Sequence, residues 1–129
     1  KIHICRMNEQ KLTDTEIILM EILWKKEKVF MKDILEDYSD PKPASTTIAT
    51  LLKRMQNKDL VGYKLYGNSR EYFPKVKKED YFQGEMTSMI DRFFNSSVSQ
   101  FASFFTSNSK LSQKQLKELR DIIDKEIEP

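Results

Sequence analysis

Glycine and proline are scarce in this chain, three and four in 129 residues. That argues against long loops and against an all-β architecture with many turns. Cysteine and histidine occur once each, as Cys5 and His3. A single cysteine excludes an intramolecular disulfide and fits a reducing cytoplasm. Two prospective ligands near one end make a poor metal site, so residues 1–10 are expected to be a disordered extension, with Met7 a candidate start. No histidine remains to build a Ser-His or Cys-His nucleophile, and neither a glycine-rich phosphate loop nor a zinc spacing is present. Catalysis is not expected, and neither is a metal or a cofactor. No apolar run approaches the roughly 18 residues of a membrane span, and residues 1–6 are too short for the apolar part of a signal peptide.

The most telling shortage is local. Residues 41–78 hold nine Lys and Arg but only two acids, Asp59 and Glu71, for a net +7. Residues 1–40 sum to −2 and residues 79–129 to −3. A basic middle between acidic flanks is the footprint of a polyanion partner; a solvated basic face is the plainer alternative, and the shape of the segment has to decide. Within it, "KPASTTIATLLKRM" (residues 42–55) opens a helix with hydroxyls and no acid, although a helix start ordinarily attracts Asp or Glu. The hydroxyls are expected to cap that helix.

Helical patterning explains much of what surrounds this stretch. Thr13 and Glu16 form a capping box, with Leu12 and Ile17 at the staple positions. Ile17, Met20, Leu23 and Trp24 then follow at core spacing. Val29-Phe30 reads as one rung of a small sheet, and residues 31–38 as a second helix with Ile34, Leu35 and Tyr38 inward. Pro41 and Pro43 end that helix. A third helix over residues 45–58 buries Ile48, Leu51, Leu52 and Met55. In "LVGYKLYGNSREYFPKV" (residues 60–76), Val61, Tyr63 and Leu65 alternate with polar or small residues. Gly67-Asn68-Ser69 supplies turn chemistry, and Glu71-Tyr72-Phe73 returns as a second strand with Lys64 and Arg70 near the hairpin tip.

The order helix, rung, helix, turn, helix, hairpin is that of a winged helix-turn-helix, in which the third helix enters the major groove and the hairpin wing lies along the backbone. The basic segment covers this helix and wing and nothing else. The expected fold is therefore mainly α with a small antiparallel sheet. Residues 11–76 form the winged DNA-binding domain and residues 77–129 a helical dimerisation domain. Phe94, Val98, Phe101 and Phe105 make a heptad-like seam widened by Phe93 and Phe104, and Leu116, Leu119, Ile122, Ile123 and Ile127 make a second stripe behind a capping box at Ser112 and Gln115. Both are expected to close against a second copy of the chain, the alternative being packing on the winged domain.

The stretches "LTDTEIILMEILW", "PKPASTTIATLLKRMQNKDLVGYKLYGNSREYFP" and "LSQKQLKELRDII" resemble, in this order, segments of the penicillinase-repressor (BlaI/MecI/CopY-type) family of bacterial transcriptional repressors. The Gly-Asn-x-Arg-x-Tyr-x-Pro wing is the most specific part. The resemblance implies a homodimeric cytoplasmic, nucleoid-associated repressor that binds a palindromic double-stranded operator. It also implies a membrane sensor-protease system as a partner that cuts an Asn–Phe bond. Counting back from Leu111-Ser112, that bond falls on Phe104-Phe105, where the Asn is missing. The copper branch's C-terminal cysteines are absent too, and Ala49 stands where the family carries an Arg in the reading helix.

The expected DNA contacts are accordingly Lys42, Ser45, Thr46, Thr47, Ala49, Thr50, Lys53, Lys64, Asn68 and Arg70. Hydroxyls bond bases or phosphates, Thr methyls or Ala49 meet a thymine methyl, and the cations neutralise phosphates. A winged helix that uses the same basic face on an acidic protein is the other reading.

Overall fold

The computed structural model describes residues 11–108 and 110–128; the expected N-terminal extension, with His3 and Cys5, lies outside them. Helix α1 spans Asp14–Lys26 and starts as its capping box predicts. Thr13 Oγ1 accepts from the Glu16 N–H at 3.2 Å, and Glu16 Oε1 accepts from the Thr13 N–H at 2.9 Å. Helix α2 (Met31–Asp37) and helix α3 (Ser45–Asn57) follow. The hairpin pairs β1 (Val61–Tyr66) with β2 (Ser69–Pro74), antiparallel, in the register Tyr63↔Tyr72 and Leu65↔Arg70. Gly67 takes the left-handed φ of 61° that the turn requires. The Val29 rung is present: its N–H donates to the Tyr72 carbonyl at 2.9 Å, and the Tyr72 N–H donates back. The described residues are thus mainly helical with one two-stranded antiparallel sheet.

One core unites these elements. Leu19, Met20, Leu23, Ile34, Ile48, Leu52 and Met55 are fully buried, with Val29, Leu60, Val61 and Tyr72 beside them. Each such aliphatic side chain contributes about 1.5–3 kcal/mol on leaving water. Ile48, Leu52 and Met55, with Leu51, form the whole inner stripe of α3, so packing fixes which face of that helix is left outside.

Helix α4 (Lys78–Phe93) joins this core through its first turns. Tyr81 and Phe82 pack on Trp24 with ring centroids 6.0 and 5.8 Å away. The Trp24 Nε1–H donates to the Val76 carbonyl at 2.8 Å, and the Leu12 N–H donates to the Tyr81 hydroxyl at 2.9 Å. Burial pushes the Tyr81 phenol up to about 12.

The chain divides into two compact units after Met86. The second contains α5 (Val98–Asn108) and α6 (Gln113–Glu126), neither of which has a buried residue. Phe94 lies 5.5 Å from both Phe101 and Phe104, and Phe101 stacks on Phe105 at 6.0 Å. Ser112 caps α6 with Gln115 as its reciprocal partner.

Candidate nucleic-acid interface

The start of α3 is bare. The N-cap position is occupied by Ala44, extended at φ −68° and ψ 147°, and no side chain caps the helix. The hydroxyl capping expected for this end is therefore not made. The physical reason is position: only the residue outside the first helical turn can fold its oxygen back onto the free N–H groups, and here that residue is an alanine. Ser45, Thr46 and Thr47 fall inside the helix. Thr50 Oγ1 donates instead to the Thr46 carbonyl at 3.0 Å. The first turn carries no acid, so the positive end of the helix dipole stands uncompensated by a side chain.

The buried stripe of α3 leaves Ser45, Thr46, Thr47, Ala49, Thr50, Lys53 and Arg54 on the exposed side. Arg54 is the addition here. It lies off the apolar stripe in the sequence, and it is exposed one residue after Lys53 with no ion pair among the described residues.

Lys42 stands elsewhere. Its ammonium donates to the carbonyls of Leu35, Glu36 and Tyr38 at 3.0, 3.2 and 2.7 Å. It satisfies the open C-terminal end of α2 and ties the turn that aims α3. Its charge is engaged by backbone before any phosphate arrives.

Other cations of the basic segment are likewise occupied. Lys58 Nζ lies 3.1 Å from Glu16 Oε1, Lys78 Nζ 3.0 Å from Glu21 Oε2, and Lys75 pairs with Asp59. Glu16 is fully buried. Burial acts to raise its carboxyl, but the Thr13 N–H and the Lys58 ammonium outweigh it and hold the group below the ordinary glutamate value. Lys53, Arg54, Lys64, Arg70 and Lys77 remain with no ion pair among the described residues. These are the cations open to an external anion, and all are exposed.

On the wing, Gly67 and Asn68 form the turn between Tyr66 and Ser69. Tyr63 and Leu65, part of the alternating pattern, are 37% and 60% exposed: the hairpin projects past the core that buries Val61 and Tyr72. The Arg70 guanidinium lies 4.2 Å from the Tyr63 ring centroid and the Lys64 ammonium 5.4 Å from that of Tyr66. These two rings were not among the expected contacts. The strand register would have revealed the first, since Arg70 pairs with Leu65 and so sits diagonally from Tyr63 on one face.

In the second unit, Val98, Phe104, Phe105, Ile122 and Ile123 are exposed, and Phe94, Phe101, Leu116 and Leu119 are half-buried. Phe104 and Phe105 lie inside α5. Among the described residues no cluster of three or more His, Cys, Asp or Glu side chains could hold a metal ion, and no helix is long and apolar enough to cross a membrane.

Three helices, a core rung and a hairpin, with a bare acid-free start to the third helix and free cations on that helix and on the hairpin, define a winged helix-turn-helix of the nucleic-acid-binding class. Residues 12–125 match the Penicillinase repressor family. The chain belongs to the penicillinase repressor family and is a DNA-binding transcriptional repressor, not an enzyme. It is 25% identical over 115 residues to the penicillinase repressor of Bacillus licheniformis, covering 88% of this chain and 90% of that one. It is 27% identical over 109 residues to the penicillinase repressor of Staphylococcus aureus, covering 82% and 85%. The methicillin resistance regulatory protein MecI of Staphylococcus aureus (strain N315) is 25% identical over 116 residues, 89% and 94% of the two chains. Among solved structures, the solution structure of the DNA binding domain of the repressor BlaI aligns with a TM-score of 0.49 at 24% identity, over 55% of this chain and 88% of that one.

Proposed function

We propose that the chain represses transcription as a homodimer on a palindromic operator, with α3 in the major groove and the wing along the flanking backbone. The observation that carries this reading is the exposed, uncapped and acid-free start of α3, from Ser45 to Thr50. A carboxylate there would stabilise the helix but repel phosphate. Its absence leaves N–H groups and hydroxyls facing outward. Ser45, Thr46, Thr47 and Ala49 approach bases, Thr50 and Lys53 lie further along the same exposed side, and Arg54, Lys64, Asn68 and Arg70 meet the backbone. Phosphate contacts set affinity and register; base contacts near the helix start set sequence preference. Lys42 acts one step back, by holding the turn before α3.

The apolar side chains exposed on α5 and α6, Val98, Phe104, Ile122 and Ile123 among them, support self-association through the second unit. Two linked reading heads bind one operator far more tightly than either alone, so induction needs only the loss of that link. A membrane sensor-protease that cuts at Phe104-Phe105 would provide it. Because that pair lies within α5, cleavage would require the helix to open locally. Acting on DNA, the protein would reside in the bacterial cytoplasm on the nucleoid.

The test is a mobility shift against a palindromic duplex from the protein's own promoter, across a salt series, with sedimentation equilibrium of the same sample. The expected result is a dimer whose binding weakens as salt rises. If the five cations of the basic segment that have no ion pair among the described residues each meet a phosphate in both protomers, the log–log salt slope should be about −9. Absence of binding at low salt, with capture of an acidic protein instead, would replace the operator by a protein partner.

A further inference from the structure

The wing holds its two cations in an unusual way. Lys58, Lys75 and Lys78 end on carboxylates, which cancel their charge. Arg70 and Lys64 end on aromatic faces. A tyrosine ring attracts a cation through its quadrupole but carries no net charge, so the cation is oriented without being neutralised. Lys64 makes the contrast plainly. Glu71 is its cross-strand partner, yet no ion pair joins them, and the ammonium lies over Tyr66 instead.

Each ring is itself anchored. Tyr63 packs on Tyr72 at 6.0 Å, and Tyr72 is buried and bonded through its backbone to Val29. Tyr66 meets the edge of Phe30 at 6.0 Å. The register places Tyr63, Leu65, Arg70 and Tyr72 on one face of the hairpin and Lys64, Tyr66, Ser69 and Glu71 on the other. One chain of contacts thus runs from Tyr72 through Tyr63 to Arg70, and a second from Phe30 through Tyr66 to Lys64. Each ends in a cation with its charge intact.

We infer that Tyr63 and Tyr66 are positioning residues for operator binding: they hold Arg70 and Lys64 in place, with their charge not cancelled by a carboxylate, on opposite faces of the wing, ready for phosphate. This rests on the DNA-binding reading of the wing and deepens it. The rings need not touch DNA. Their role is to remove the rotamer search that a long cationic side chain otherwise makes on binding.

The experiment is a double-variant cycle on the full chain, read by fluorescence anisotropy with a promoter-derived palindromic duplex over a salt series. Tyr63→Phe keeps the ring and should bind within about twofold of wild type. Tyr63→Leu should weaken binding about 2- to 5-fold per protomer. Arg70→Ala should weaken it and reduce the salt slope by about one for each phosphate lost. In the Arg70→Ala background, Tyr63→Leu should add less than twofold. The inference is overturned if Tyr63→Leu costs the same with and without Arg70, if it costs nothing, or if Tyr63→Phe is as weak as Tyr63→Leu. Tyr66→Leu and Tyr66→Phe with Lys64→Ala form an independent cycle on the opposite face, which decides the matter should Tyr63→Leu disturb folding. Failure of the wild-type chain to bind the duplex at low salt would instead remove the DNA-binding reading of the wing, a result the cycle separates cleanly from lack of coupling.

Discussion

Lys58 Nζ lies 3.1 Å from the fully buried Glu16 Oε1, joining the C-cap of α3 to the first turn of α1. The same Glu16 carboxylate accepts the Thr13 N–H. One buried carboxylate therefore closes the start of the first helix and anchors the far end of α3. Lys58→Met should remove the counter-charge and leave that carboxylate unpaired, costing about 3 kcal/mol. Urea denaturation checks this as a lower midpoint at unchanged slope. Adding Glu16→Gln to Lys58→Met should restore part of the loss, since no buried charge then remains.

Acid should weaken the same link. The folded Glu16 carboxyl sits below its ordinary value, so its stabilising contribution is complete above the unfolded glutamate pKa, about 4.3. It is lost as pH falls through the lower folded value. Thermal unfolding below about pH 4 should show this as a falling Tm in the wild type. The fall should be shallower in Lys58→Met, whose folded carboxyl no longer lies as far below the unfolded one.

Alkali should act through Tyr81. Its phenol is pushed up to about 12 in the folded chain, so the unfolded state releases the proton first. The stabilisation is present below about pH 10 and lost as pH rises towards 12, amounting to roughly 2–3 kcal/mol. Tyr81→Phe leaves the Leu12 N–H without its acceptor and should be less stable at neutral pH. Its stability should also fall less steeply between pH 10 and 12, as measured by denaturant unfolding at each pH.

What the sequence made legible and what it hid divide by distance along the chain. The capping boxes at Thr13/Glu16 and Ser112/Gln115 span three residues each, and the stripe Ile48, Leu51, Leu52, Met55 spans two turns. Such local patterns can be read directly. The Lys58–Glu16 pair spans 42 residues and the Leu12–Tyr81 bond 69, so no local pattern encodes them. Lys42 looked like a free cation because its partners are backbone carbonyls, which carry no mark in the sequence. The alternation of Val61, Tyr63 and Leu65 marks a strand but not how much of it is covered: Val61 is buried, while Tyr63 and Leu65 stand in solvent. The missing cap on α3 turned on one position: Ala44, not Ser45, sits outside the first helical turn.

The acid-free start of α3 can be tested by restoring what it lacks. A glutamate in the first turn of a helix interacts favourably with the dipole, by about 0.3–1 kcal/mol, so Thr46→Glu should fold at least as stably as wild type. If this end faces phosphate, the same change should weaken binding to a promoter-derived operator duplex by about tenfold or more at low salt, one like-charge contact per protomer being worth several tenths to a few kcal/mol. Unchanged Tm with lost affinity is the predicted result. Unchanged affinity in a stably folded Thr46→Glu chain would contradict the account, because the start of α3 would then not approach DNA.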